Sequence, residues 1–293
     1  MWGFELAEQN RRFLSGIDPS FFNASVEAQI PLLSGPTGQH AAMSVRMIYG
    51  HALETFFALL MAAIQAPHCP LGWILRYQPG ELARAVRKVD SGAPLLARTK
   101  FENKWRGVAL AINLFHHSDS AEEDRIKALF GDTWALLAED FLDSTGNAEY
   151  NSIKHGLRVK PGGFWFKMES PKGGAPLIDS TSEFGSRFFV VKKLGNGGIN
   201  FHAEDTARNW SPVSLAVRTE LLSVSISNVV SFLLTKIGGV SSVRFNWPEK
   251  GDNLDLAWKA DFLMRSMSGG YPVNIDRKDL LTKEDILAAY STE

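Results

Sequence analysis

Glu149-Tyr150-Asn151-Ser152-Ile153-Lys154-His155-Gly156-Leu157-Arg158 divides this chain into two textures. Upstream, apolar residues recur at three- and four-residue steps, the period of amphipathic helices. Downstream, paired glycines punctuate short aromatic and β-branched runs, the texture of strands and tight turns. The ten residues place an amide, two cations, an imidazole and a phenol at that junction. The reading is α+β: mainly a helical bundle, with a small antiparallel β-sheet inserted before the last long helix.

Working back from the junction, Ala121 to about Phe141 forms a helix with Ile126, Phe130, Trp134, Leu137 and Phe141 on one stripe. Ser120 and Glu123 have capping-box spacing at its start. Phe101 to His117 reads as a helix, as do Leu71 to Tyr77 and Pro79 to Val89, with a break at Ser91-Gly92-Ala93-Pro94. The longest helix spans about Gln39 to Gln65 and carries Ala42, Val45, Ile48, Ala52, Phe56, Leu59 and Ala63 at helical steps. Pro67 and Pro70 end it. Phe4 to Leu14 is a short helix, and Ser15 to Gly38 an irregular connection.

Working forward, Phe164 to Met168 lies between Gly162-Gly163 and Gly173-Gly174. Arg187 to Lys192 and Ile199 to His202 flank Gly195-Asn196-Gly197-Gly198 as a hairpin. A small sheet is expected between about Leu157 and Ala203. Ser211-Pro212 opens a long helix to about Ile237, stopped by Gly238-Gly239. Val243 to Phe245 reads as a strand, and Leu254 to Met267 and Lys283 to Ala289 as short helices. The chain is read as one domain, 1–293: helical over about 1–156 and 211–237, β-rich over about 157–203, and mixed over 238–293.

The 293 residues carry a net charge of −1, which announces no general attraction to nucleic acid, and 45% hydrophobic residues supply ample core. One cysteine, Cys69, excludes an internal disulfide and fits a reducing cytosol. The N-terminus has no basic start followed by an apolar run, so no signal peptide is expected. Phe56 to Ala66 and Leu221 to Leu234 fall short of the roughly 20 apolar residues of a membrane span. The expectation is a cytoplasmic protein with no membrane partner.

On a helix ending near Gly156, Asn151 and His155 share a face, four residues apart. A neutral imidazole serves as general base toward a ribose hydroxyl or water, and an imidazolium protonates a leaving group. Lys154 and Arg158 can neutralise a phosphate, with Tyr150 beside them, and Asn151 can orient the ring. Tyr150 to His155 resembles the motif of HEPN domains. That motif places an Arg, commonly followed by a polar residue such as Asn, about five positions ahead of a His. Asn151 and His155 match the polar position and the His, and Tyr150 stands where the family has Arg. The resemblance implies an often dimeric helical bundle that binds or cleaves RNA or nucleotide, as a metal-independent ribonuclease where active, in bacterial toxin or antiviral systems. Catalysis would fall to His155 and Asn151, and phosphate contacts to Lys154, Arg158 and Tyr150. No cofactor or metal is expected.

A structural reading of the same residues stands beside it. Asn147 and Asn151 suit caps, His155, Lys154 and Arg158 suit the negative end of a helix dipole, and Tyr150 and Ile153 suit packing. In that case the chain is a non-catalytic interaction module that binds a protein partner through the aromatic sheet segment. Of the remaining histidines, His68, His116-His117 and His202 near Glu204-Asp205 lack the spacing of a metal or catalytic set. Arg84, Arg87, Lys88, Arg98 and Lys100 form a modest basic cluster, which a solvated helix face explains.

Overall fold

The computed structural model describes residues 3–95, 100–155, 158–169, 178–193, 200–238, 242–248, 257–258, 266–274 and 282–290. The chain forms two compact units: Met1–Tyr150 with Ser211–Asp261, and Asn151–Trp210 with Phe262–Glu293. The mainly helical α+β reading holds, with ten α-helices and six strands among the described residues.

Unit 1 is helical. It holds α1 (Gly3–Ser15), α2 (Phe21–Glu27), a 3₁₀ turn (Ile30–Leu32), α3 (Gly38–Gln65), α4 (Pro70–Arg76), α5 (Pro79–Ser91), α6 (Trp105–Ile112), α7 (Ser120–Leu142), the start of α8 (Ser144–Lys154) and α9 (Pro212–Ile237). The two long apolar helices, α3 and α9, pack against each other as its centre. Val45, Phe56, Phe57, Leu60, Leu222, Ile226, Val229 and Leu233 are buried along them. Tilted rings tie α7 to this centre: Phe56 lies 5.5 Å from Trp134, and Phe57 lies 4.9 Å from Phe141. The Trp134 indole donates to Ser225 Oγ on α9 at 3.0 Å, so its polar edge is satisfied in the core. Gly131 on α7 lets α6 approach closely, since a Cβ there would sit 2.6 Å from Arg106 Cα.

By length and composition, α3 and α9 could each cross a membrane, which corrects the shorter runs read from the sequence. The apolar windows of both are mostly buried inside the fold, 67% and 61%, as core helices are.

Local chemistry explains where elements depart from expectation. Ser15 to Gly38 contains α2 and the 3₁₀ turn. The helix expected over Phe101–His117 shrinks to α6, because Asn103 and Lys104 take positive φ of 59° and 52° ahead of it. At its other end the buried Asn113 amide accepts from Asn228 at 3.0 Å. Asp119, rather than Ser120, caps α7, accepting from the backbone of Ala121 and Glu122, and Glu123 accepts from the His117 N–H. Val243 to Phe245 is not a strand. Side chains of α9 occupy this segment's backbone instead: Ser231 Oγ donates to Arg244 O at 2.6 Å, and Asn228 Oδ1 accepts from the Asn246 N–H at 2.8 Å. Of the expected helix Leu254–Met267, Ser266 and Met267 lie in a strand, Ala257–Trp258 form a turn, and the rest lies outside the described residues.

Unit 2 holds β1 (Val159–Pro161), β2 (Trp165–Met168), β3 (Ile178–Thr181), β4 (Gly185–Lys193), β5 (Asn200–Asn209), β6 (Ser266–Asn274) and α10 (Lys283–Tyr290). An antiparallel sheet runs in the order β1-β4-β5-β6, and β2-β3 is a separate hairpin. Three strands of the sheet precede α9, as expected, but the fourth follows it. The glycine turn joining β4 to β5 lies outside the described residues. The Asn209 side chain exchanges two 2.8 Å hydrogen bonds with the backbone of Phe164, tying β5 to the segment that enters β2.

Candidate functional site

The last turn of α8 and the residues after it carry the polar cluster. The His155 N–H donates to Asn151 O at 3.0 Å, extending the helical pattern one step beyond Lys154. The Arg158 N–H donates to Ser152 O at 3.3 Å, just ahead of β1. The expected cap, Gly156, lies outside the described residues. Asn151, Lys154, His155 and Arg158 are all exposed. The side chains of Asn151, His155 and Arg158 make no hydrogen bond or ion pair among the described residues. The imidazole makes no capping bond to its own helix among the described residues, whereas Asn147 Nδ2 donates to Phe141 O at 2.8 Å.

The two residues ahead of this cluster are held within unit 1. Glu149 is fully buried, and its carboxylate accepts from Arg46 on α3, at 2.9 Å from Nε and 2.8 Å from Nη2. Burial disfavours the Arg46 cation, yet Glu149 more than offsets this and raises its pKa. Tyr150 lies edge-on to His51, with ring centroids 5.5 Å apart, and its hydroxyl donates to Glu54 Oε2 at 3.2 Å. Gly50 makes room for the ring, since a Cβ there would sit 2.5 Å from Tyr150 Cδ2. Burial, then the Glu54 carboxylate, pushes the Tyr150 phenol far above the ordinary tyrosine range. The residue at the family's Arg position is thus a half-buried neutral phenol beside a carboxylate. Lys154 and Arg158 are the exposed cations of the cluster.

A second, half-buried polar group in unit 1 carried no sequence motif. Asp140 on α7 accepts from Tyr49 at 2.6 Å, from Arg218 Nη1 at 2.7 Å and from the Trp258 indole at 3.2 Å. Arg218 also donates to Ala257 O and lies over the Trp258 ring at 4.9 Å. The only sequence signal was the presence of Arg46 and Tyr49 among apolar neighbours on α3.

The sheet of unit 2 has two unlike faces. Ser186, Phe188 and Thr206 are buried on one. Phe189, Val191, Met267 and Tyr271 project from the other and are exposed. On that exposed face, in a cleft of about 440 Å³, Arg187 holds Asp205 with two donors, and Lys160 lies nearby. The Arg187 contacts, with smaller help from Lys160, lower the Asp205 pKa. Unit 2 contains 13 Lys and Arg against 10 Asp and Glu, whereas unit 1 contains 18 against 22. The near-neutral chain therefore splits into an acidic unit, −4, and a basic one, +3.

Other sequence candidates stay apart. His202 and Asp205 point to opposite faces of β5, so they form no acid–base pair. His117 Nδ1 is engaged with the backbone of Asp119. Arg84, Arg87 and Lys88 are exposed on α5, and Arg98 lies outside the described residues. Among the described residues no group of three or more His, Cys, Asp or Glu is placed to hold a metal ion. Comparisons with protein-family models, curated proteins and solved structures found no match to this chain.

Proposed function

We propose that the chain is a HEPN-like protein that binds RNA or nucleotide through unit 2, with His155 as the acid–base group for cleavage. One observation carries this reading. Asn151, His155 and Arg158 are exposed without side-chain partners among the described residues, in the basic unit, beside exposed Lys154. A fold gains nothing from leaving a histidine, an asparagine and an arginine unengaged at one helix end. A phosphodiester would use all three: cations on the phosphate, the imidazole on the 2′-hydroxyl, and the amide to orient either. A homodimer would add a second copy of the motif.

The test combines fluorescence anisotropy and gel cleavage on a single-stranded RNA, with sedimentation velocity for the dimer. Lys154→Ala/Arg158→Ala should weaken binding and flatten the salt dependence, by about 0.7 in log–log slope per lost phosphate contact. His155→Ala should bind normally and lose roughly 10²- to 10⁴-fold in cleavage. An unchanged salt slope in the double variant, or no binding by the parent protein, would remove the proposal.

The exposed row Phe189, Val191, Met267 and Tyr271 supports a second reading, a non-catalytic module that binds a protein partner through this sheet face. It expects Phe189→Asp to abolish partner capture while His155→Ala leaves it intact.

A further inference from the structure

Unit 1 contains a cleft that shares no residue with the polar cluster at the end of α8. It has a volume of about 500 Å³ and lies between the end of α3, α4 and the start of α5. That volume is within the ordinary range of small-molecule sites. Trp73, Arg76 and Tyr77 form its α4 wall, Gln65 stands at the end of α3, and Glu81 and Ala85 lie on α5. Positions 73, 76 and 77 are three and four residues apart, so α4 brings them to one side.

Three features of the lining point to one kind of ligand. The first is aromatic. Trp73 and Tyr77 are stacked, with ring centroids 5.2 Å apart and planes 19° from parallel, and both are half-buried, so they offer a fixed flat surface. The second is charge. Arg76 is the cation of the lining, it is exposed, and its side chain makes no hydrogen bond or ion pair among the described residues. Glu81, the acid of the lining, is already engaged: it accepts from the Gln78 N–H at 3.0 Å at the start of α5, and Arg84 lies 3.9 Å from its other oxygen. The third is an unmet donor. Gln65 Nε2 is buried and finds no acceptor among the described residues. Buried donors are almost always matched, and an unmatched one is costly.

We infer that this cleft binds a small planar aromatic carboxylate. The carboxylate pairs with the Arg76 guanidinium, whose fork matches its two oxygens, and the ring lies along Trp73 and Tyr77. One ligand oxygen supplies the acceptor that Gln65 lacks. A cationic analogue would bring a second positive charge beside Arg76, and a neutral amide would give up the charge-assisted bonds. A saturated ring would keep the charge and lose the stacking.

Isothermal titration of the full chain with indole-3-carboxylate, indole-3-carboxamide and cyclohexanecarboxylate tests this. The first should bind, and the other two at least about tenfold more weakly. Arg76→Met keeps the apolar stem of an exposed side chain and should lose at least about tenfold in indole-3-carboxylate affinity. Gln65→Met removes the unmatched donor at similar size. Its urea midpoint should hold or rise while its affinity falls by at least about threefold, a split that a merely structural glutamine would not give. Circular dichroism of both variants confirms the fold. No indole-3-carboxylate binding up to about 10 mM, equal binding of the carboxamide or of the saturated acid, or full affinity in folded Arg76→Met or Gln65→Met would each overturn the inference.

Discussion

Removing Glu149 tests how the helical unit is held together. The carboxylate is fully buried and the Arg46 side chain is 8% exposed, so neither charge is met by bulk water. Exposed ion pairs contribute about 0.2–1 kcal/mol, but losing one partner of a buried pair costs about 3–5 kcal/mol, because the other charge stays desolvated. In Glu149→Ala the Arg46 guanidinium would keep only a long contact to Gly146 O, at 3.4 Å, and its position near the Tyr49 ring. The upper end of that range therefore applies. Set against a typical total of about 5–15 kcal/mol, this is a third or more of the stability. For a unit of this size, about 2–4 °C per kcal/mol gives a fall of roughly 8–20 °C in Tm. Urea unfolding followed at 222 nm measures it directly. The Arg46→Met/Glu149→Leu double variant removes both charges at similar volume, and should recover to within about 1 kcal/mol of the parent or exceed it. Single variants that cost under about 1 kcal/mol, or a double variant whose loss equals their sum, would refute the buried-pair account.

Two further outcomes follow from the surroundings of α3. Gly50→Ala gains about 1 kcal/mol of helix propensity but drives its Cβ into the Tyr150 ring, so a net loss of about 1–2 kcal/mol is expected. Adding Tyr150→Ala should turn the alanine into a gain, and urea midpoints of the four proteins decide it. Tyr49, Tyr77 and Tyr150 have pKa values raised above 10.0, by burial first and then by Asp140 or Glu54. Above pH 10 the native protein then holds protons that the unfolded chain has released. Unfolding gives them up, so stability falls as pH rises through that range. The native absorbance at 295 nm should rise by clearly less than five tyrosines' worth before the protein unfolds, and a full rise on a still-folded protein would contradict the burial.

Much of the helical unit is legible because its signals are local. The Ser211-Pro212 start and the apolar runs of α3 and α9 specify their helices with little help from tertiary structure. The misreadings fall where distant partners decide. Val243 to Phe245 has β-prone residues, but Ser231 on α9 takes the Arg244 carbonyl and Asn228 takes the Asn246 N–H just beyond it. β6 is Gly- and Ser-rich and weakly patterned, and it becomes a strand because β5 offers a nine-residue register across α9. At the candidate site, the exposure of Asn151 and His155 follows from helical spacing. The inward turn of Glu149 and Tyr150 does not, because it depends on Gly50 yielding space and Arg46 arriving one turn earlier on a different helix.

The two units use polar residues in opposite ways, and this separates structural from functional roles experimentally. In unit 1 the charged groups Arg46, Glu149, Asp140 and Arg218 are buried or nearly so and mutually bonded, so each is costly to remove singly. At the end of α8 the side chains of Asn151, His155 and Arg158 are exposed and bonded to nothing described, so removing them should change stability by less than about 0.5 kcal/mol. His155→Ala should therefore leave the urea midpoint in place while changing RNA cleavage, and Glu149→Ala should do the reverse per surviving folded molecule. If His155→Ala instead unfolds the protein, the imidazole has a structural partner in solution and the functional assignment of this cluster fails.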